Sequence, residues 1–204
     1  MSGKSYNSSV FINCPIDRSY KLFFHASVFT IIRCAFNVRC AEEESDSSEI
    51  RLTKIYRMIS ECKYGIHDLS MINLDRKTHL PRFNMPFELG IFLAAKHFGN
   101  NEQVKKNCLV FEKQSHSYEK YISDIKGQDI ASHGNKPKIF IIKIRDWLDT
   151  NSKSKYLPGG CAIWNEYQRF RNWLPAKCNS INLDISELTY NNYAELVYAW
   201  IETN

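Results

Sequence analysis

Short apolar runs alternate with longer amphipathic ones over the first 145 residues of this chain. Ser9-Val10-Phe11-Ile12-Asn13-Cys14 is a β-rich run stopped by Pro15, and from Ser19 to Cys34 apolar residues are dense enough for a buried helix. Phe36 to Ala41 reads as a second strand. An acidic loop, Glu42 to Asp46, follows, with Ser47 or Ser48 as an N-cap; Leu52, Ile55, Ile59 and Cys62 then recur at helical spacing until Lys63-Tyr64-Gly65 stops the helix. Ile66 to Leu69 gives a third strand. The loop through Pro81 leads into a helix from about Met85 to His97, closed by Gly99. Asn107 to Phe111 reads as a fourth strand, Tyr118 to Ile125 as a short helix and Lys138 to Ile144 as a fifth strand.

Strands of four to seven residues, each followed by a helix, predict a parallel sheet covered on both faces. Crossovers between parallel strands are right-handed, so the expected architecture is a three-layer α/β sandwich with strand order 2-1-3-4-5. After Trp147 the pattern changes. Asn151 to Gly160 is a polar Gly/Pro-containing connection, followed by two helical stretches, Ile163 to Leu174 and Leu188 to Ile201. Their aromatics, among them Trp164, Tyr167, Phe170, Tyr193 and Trp200, recur every three to four residues, as packing surfaces do. The chain therefore reads as one domain over residues 1–204, an α/β core at about 9–145 with a helical extension at about 160–204.

Composition adds bounds. With 44% hydrophobic residues the chain can bury one substantial core, and its net charge of +5 is dispersed among acidic residues. That dispersal gives no nucleic-acid footprint, whereas an anionic small ligand suits it. Seven cysteines is an odd number, none in a CxxC pair, and no Cys or His lies at zinc-finger spacing. Free thiols and a cytoplasmic location are expected. Met1 to Ser9 is polar, without the apolar segment of a signal peptide. The longest apolar stretch, Leu22 to Phe36, is broken by His25 and Arg33 and too short to span a membrane.

In an open parallel sheet, ligands bind outside the carboxyl ends of the strands, where strand order reverses. Three polar segments should reach that rim: Asn13 to Asp17, His67 to Ser70, and the loop before Glu88. In Arg82-Phe83-Asn84-Met85-Pro86-Phe87-Glu88-Leu89-Gly90, Asn84 is suited to an N-cap and Pro86 to the first turn. Glu88 would then lie beside unpaired backbone N–H groups at the positive end of the helix dipole, either as a helix-capping carboxylate or as a catalytic one. With Arg82 nearby it would stay ionised, which suits a nucleophile or an electrostatic stabiliser and not a proton donor. Negative charge is what cleavage of a glycosidic bond needs, because positive charge develops on the sugar ring.

Other residues carry two readings each. Asp68 is an Asx-turn former or a ligand contact, and His67 should point to the opposite face. Arg39 and Arg82 are phosphate holders or solvated, ion-paired arginines. Asp124, Asp129 and His133 read as helix and turn ends. No GxGxxG, GxxxxGK[ST] or GxSxG motif is present, which argues against Rossmann, P-loop and hydrolase-elbow chemistry.

Phe11-Ile12-Asn13-Cys14-Pro15, Ile66-His67-Asp68-Leu69-Ser70 and Pro86-Phe87-Glu88-Leu89-Gly90 resemble landmarks of the nucleoside 2-deoxyribosyltransferase-like enzymes and the related TIR-like N-glycosidases. The resemblance implies a flavodoxin-like sheet, with Glu88 as the glutamate that attacks or stabilises the anomeric carbon. It implies Asp68 as the aspartate contacting sugar or base. Asn13, Pro15, Arg82 and Asn84 fall in the loops that would bind substrate. The transferases carry small Gly/Thr residues before the glutamate, where this chain has Asn84, Met85 and Pro86; glycosidic cleavage is thereby favoured over deoxyribosyl transfer. No metal or cofactor is expected; NAD would enter as a substrate. The partner expected is a small nucleotide, without nucleic acid or membrane, and a homo-oligomer is compatible.

Three functions follow. The first is cleavage of the base–ribose bond of NAD or a nucleoside monophosphate. Nicotinamide leaves NAD as a neutral molecule and needs no general acid, whereas other bases need a proton donor. The second is a non-catalytic TIR-like signalling or nucleotide-sensing module, since fold does not decide function. The third, a flavodoxin or receiver-type protein, lacks the phosphate-cradling loop and the acidic pair at the end of strand one.

Overall fold

A computed structural model describes residues 5–71, 82–152 and 156–204. Five parallel strands form one sheet: β1 (Ser9–Asn13), β2 (Asn37–Cys40), β3 (Tyr64–Asp68), β4 (Asn107–Glu112) and β5 (Ala131–Ser132), in the order β2-β1-β3-β4-β5. The helices are α1 (Lys21–Arg33), α2 (Arg51–Ser60), α3 (Asn84–Phe98), α4 (Pro137–Asn151), α5 (Gly160–Ser180) and α6 (Tyr190–Thr203). This is the flavodoxin-like α/β arrangement.

Strand alternation separates the two faces. On β1, Val10 and Ile12 join the apolar cluster of α1 and α4, while Phe11 packs with Ile55, Met58, Ile59 and Cys62 around α2 and with Phe92 of α3. Helix α1 is buried on nearly every side, from Phe23 and Phe24 to Ile31 and Ile32, because it lies between the sheet and further helices. Those outer helices are α5 and α6. Tyr167, Phe170, Tyr193, Val197 and Trp200 belong to the same cluster as Phe29 of α1 and Phe140 of α4. The C-terminal helices thus complete the core on one side of the sheet.

The last strand is not where the apolar run at Lys138 to Ile144 places it. Those residues belong to α4, and the strand is the two-residue β5, pairing Phe111 with Ala131 and Glu112 with Ser132. The buried side chains Phe140, Ile141, Ile144 and Leu148 repeat at helical spacing, and Pro137 stands at the first helical position. The β-branched isoleucines imitate a strand only when that period is ignored. Two helix starts also move. Ser48 donates through its backbone N–H and its hydroxyl to Asp46 Oδ1, and α2 begins later, at Arg51, after Ile50. Helix α3 is entered through Phe83, with Asn84 already helical. The Tyr118 to Ile125 segment is two 3₁₀ turns, Tyr118–Lys120 and Ser123–Ile125.

All seven cysteines are free thiols. No helix among the described residues is long and apolar enough to cross a membrane.

Candidate functional site

The carboxyl ends of β1 and β2 and the start of α3 enclose a pocket of about 230 Å³. Strand order reverses between β1 and β3, so this is the crevice where connections depart to opposite faces. The β1 loop contributes Asn13, Cys14, Pro15, Ile16 and Asp17, and the end of β2 contributes Cys40, Ala41 and Glu42. Arg82, Asn84, Met85 and Glu88 come from the start of α3, and Arg51 from the start of α2. The structure therefore gathers Asn13, Pro15, Arg82, Asn84 and Glu88 in one place. A neighbouring cleft of about 210 Å³ shares Pro15, Ile16, Phe24 and Glu42 with it and adds Arg18 and Lys21.

Glu88 is half-buried and lies beyond the first turn of α3. Entry through Phe83 puts the carboxylate at the fifth helical position, one residue further from the unpaired N–H groups than an Asn84 cap would, so the helix dipole holds it less firmly. Burial dominates instead and pushes the Glu88 carboxyl up to about 7, against a smaller opposing pull from Arg51. The expectation of a permanently ionised carboxylate kept so by Arg82 is thus replaced by a group poised near neutrality. Arg82 itself donates to Asp17 Oδ2 at 2.5 Å. Glu42, an exposed carboxylate, lines the same pocket.

Asn13 is buried and holds the scaffold of the pocket. Its Nδ2 donates to the Met85 carbonyl at 2.8 Å and lies 3.0 Å from His67 Nδ1. With Nδ1 accepting from the amide, the His67 proton sits on Nε2, which has no hydrogen-bond partner among the described residues. That nitrogen lies over Gly65, and the His67 and Phe92 rings meet edge-on with their centroids 5.0 Å apart. Burial, and secondarily Lys106, lowers His67 to about 3, so the imidazole is neutral.

Asp68 is not in the pocket wall. It is fully buried on the opposite face of β3 from His67. Its Oδ2 accepts from the Tyr20 hydroxyl and lies 3.3 Å from His133 Nε2, while Oδ1 accepts from the Ser70 backbone N–H at 2.7 Å. The Ser70 bond is the Asx-type turn that a strand-end aspartate favours. His133, expected at a turn end, is buried among Phe23, Phe111 and Phe140. Asp124 and Asp129 are exposed. Arg39 is engaged by Glu43 at 2.8 Å, Glu61 at 2.5 Å and Glu44 at 3.6 Å, so its guanidinium serves the β2–α2 junction and not a phosphate.

Three features of the site escaped the sequence reading: Arg51, Glu42, and the Tyr20–Asp68–His133 cluster. Glu42 follows a strand end directly, and extending the strand-end rule to β2 finds it. Arg51 carries no such signal, because α2 starts away from its nearest serine caps. Cys14 and Cys40 also line the pocket, but burial raises both thiols, Cys40 to about 12, so neither is a thiolate nucleophile near neutrality. The sequence matches no protein-family model and no curated protein.

Proposed function

We propose that the protein cleaves the base–ribose bond of a nucleotide, NAD or a nucleoside monophosphate, with Glu88 as the carboxylate facing the anomeric carbon. The observation that carries this reading is Glu88 itself, a half-buried carboxyl pushed up to about 7 in a pocket with Arg51 and Arg82 on its walls. Positive charge on a bound nicotinamide ring would hold Glu88 ionised once substrate is in place, and the carboxylate would then oppose the charge developing on the ribose. The arginines suit the phosphate. The adjoining cleft with Arg18 and Lys21 offers room for the second half of a dinucleotide, which favours NAD.

Asp68 takes a positioning role in this reading. Its carboxylate is engaged by Tyr20, Ser70 and His133, so it orders the β3 end and does not meet the base. That withdrawal also favours a second reading, a nucleotide-sensing module that binds without turnover, because only one of the two expected acids reaches the pocket. Incubation of the protein with NAD and with nucleoside monophosphates, followed by chromatography of released base, separates the two. Release by wild type and a loss on the order of 10²–10³ in Glu88→Gln supports the glycosidase. Undiminished release by Glu88→Gln removes the assignment, and nucleotide binding without release supports the sensor.

A further inference from the structure

A second cleft, of about 210 Å³, opens at the carboxyl ends of β3 and β4 and shares no lining residue with the Glu88 pocket. Ser70, Lys113, Gln114, Tyr118 and Tyr121 face it. Behind Ser70 stands the buried His133, whose Nε2 is 2.7 Å from Ser70 Oγ and 3.3 Å from Asp68 Oδ2. A serine, a histidine and an aspartate in contact suggest nucleophilic catalysis, but the hydrogen bonding rules it out. The Asn135 backbone N–H donates to His133 Nδ1 at 3.1 Å, so Nδ1 accepts and Nε2 carries the imidazole proton. A nitrogen already bearing a proton cannot take one from the serine. Asp68 also meets the same ring nitrogen as Ser70, not the opposite one that an orienting carboxylate needs.

The same bonding makes Ser70 a donor. With Nε2–H occupying a lone pair of Oγ, the hydroxyl hydrogen is free to turn toward the cleft. Among the described residues, no acidic side chain lines the cleft. The nearby Glu112 carboxylate is buried and consumed by the His116 and Tyr118 backbone N–H groups and the Ser117 hydroxyl. Lys113 is exposed and forms no ion pair among the described residues. Tyr121, 46% exposed, supplies an aromatic wall.

We propose that this cleft is a second ligand site, taking the phosphate of a small aromatic or heterocyclic phosphomonoester. Ser70 donates to a phosphate oxygen, Lys113 supplies the positive charge, and the ring of the ligand lies against Tyr121. The site is independent of any chemistry at Glu88. Titration of the whole chain with phenyl phosphate and with inorganic phosphate, followed by calorimetry and by amide chemical shifts, tests it. Saturable binding is expected, tighter for phenyl phosphate, with shifts at Ser70 and Lys113. Ser70→Ala and Lys113→Gln should each weaken it about tenfold, the cost of one charge-assisted hydrogen bond. Ser70→Ala leaves Asp68 to accept from His133, and Lys113→Gln alters only an exposed side chain, so both variants should fold. Arg82→Gln, which alters the other pocket, should leave the shifts at Ser70 and Lys113 unchanged. Affinity unaltered in both cleft variants, loss of the Ser70 and Lys113 shifts in Arg82→Gln, or no saturation by about 10 mM phenyl phosphate would overturn the proposal.

Discussion

The side-chain amide of Asn13 donates to the main-chain carbonyl of Met85 at 2.8 Å, which ties the end of β1 to the first turn of the helix bearing Glu88. The bond spans 72 residues of sequence. It fixes the lip of the pocket from within the sheet, since the same amide also reaches His67 in the neighbouring strand.

Removing that amide should therefore cost stability and pocket geometry together. Asn13→Ala leaves a buried carbonyl and a buried imidazole nitrogen without their donor, a loss of about 1–3 kcal/mol. Denaturant unfolding should show a lowered midpoint with an unchanged slope. Amide shifts in the first turns of α3 should move more than those in α5. Wild-type stability in Asn13→Ala would mean that the bond contributes nothing.

Glu88 predicts a pH signature whose sign follows from its raised pKa. Between the unperturbed carboxylate range near 4.5 and about 7 the folded protein holds a proton that the unfolded chain releases, so the stability Glu88 confers is lost as pH rises through that window. Glu88→Gln should flatten this part of the stability profile and leave the protein folded at pH 8. Base release, if it requires the ionised form, should rise through about 7 in wild type. A carbon-detected carboxyl titration that places Glu88 near 4.5 would contradict both expectations.

The acid limb belongs to histidine. Burial lowers His67 and His25 each to about 3, so both are neutral in the folded state below pH 6.5, where the unfolded chain is protonated. Stability from each is present in full above 6.5 and lost as pH falls toward 3. His67→Gln, which keeps an acceptor for Asn13 without a titrating ring, should make the loss between pH 6.5 and 4 shallower. Unfolding midpoints measured across that range check it; a slope equal to wild type would discount His67.

Gly65 is required by close approach. A Cβ there would meet His67 Nε2 at 2.7 Å and the Phe92 ring at 2.8 Å, inside the normal contact range. Gly65→Ala should destabilise by about 1–3 kcal/mol through overpacking, in spite of the entropic gain that alanine brings to the unfolded chain. Thermal unfolding decides the sign, and a raised midpoint would show that α3 can retreat at no cost.

Strand and helix periods made β1 to β4, α1 and α3 legible, because those runs differ in length and in the punctuation at their ends. The fifth strand was not, since two residues leave no period to detect and the adjoining isoleucines of α4 are strong β formers in isolation. The pocket location followed from strand ends alone. The protonation state of Glu88 did not, because it rests on how deeply the helix start is packed, and the entry through Phe83 shifted the carboxylate by one residue past the first turn. The partners of Asp68 were hidden for another reason. Tyr20 and His133 come from segments 48 residues before it and well beyond β4, with no motif linking them.

The aromatic pair His25 and Tyr193 joins α1 to α6, with ring centroids 3.8 Å apart and the tyrosine hydroxyl donating to the His25 carbonyl 168 residues away. During synthesis at 5–20 residues per second, α1 therefore leaves the ribosome on the order of 10–30 s before its partner helix exists. For that interval Phe29 and its neighbours have no outer layer, and the outward face of α1 stays apolar and uncovered. A chaperone that engages the chain should hold it chiefly in that window and release it when the aromatic residues of α5 and α6 emerge.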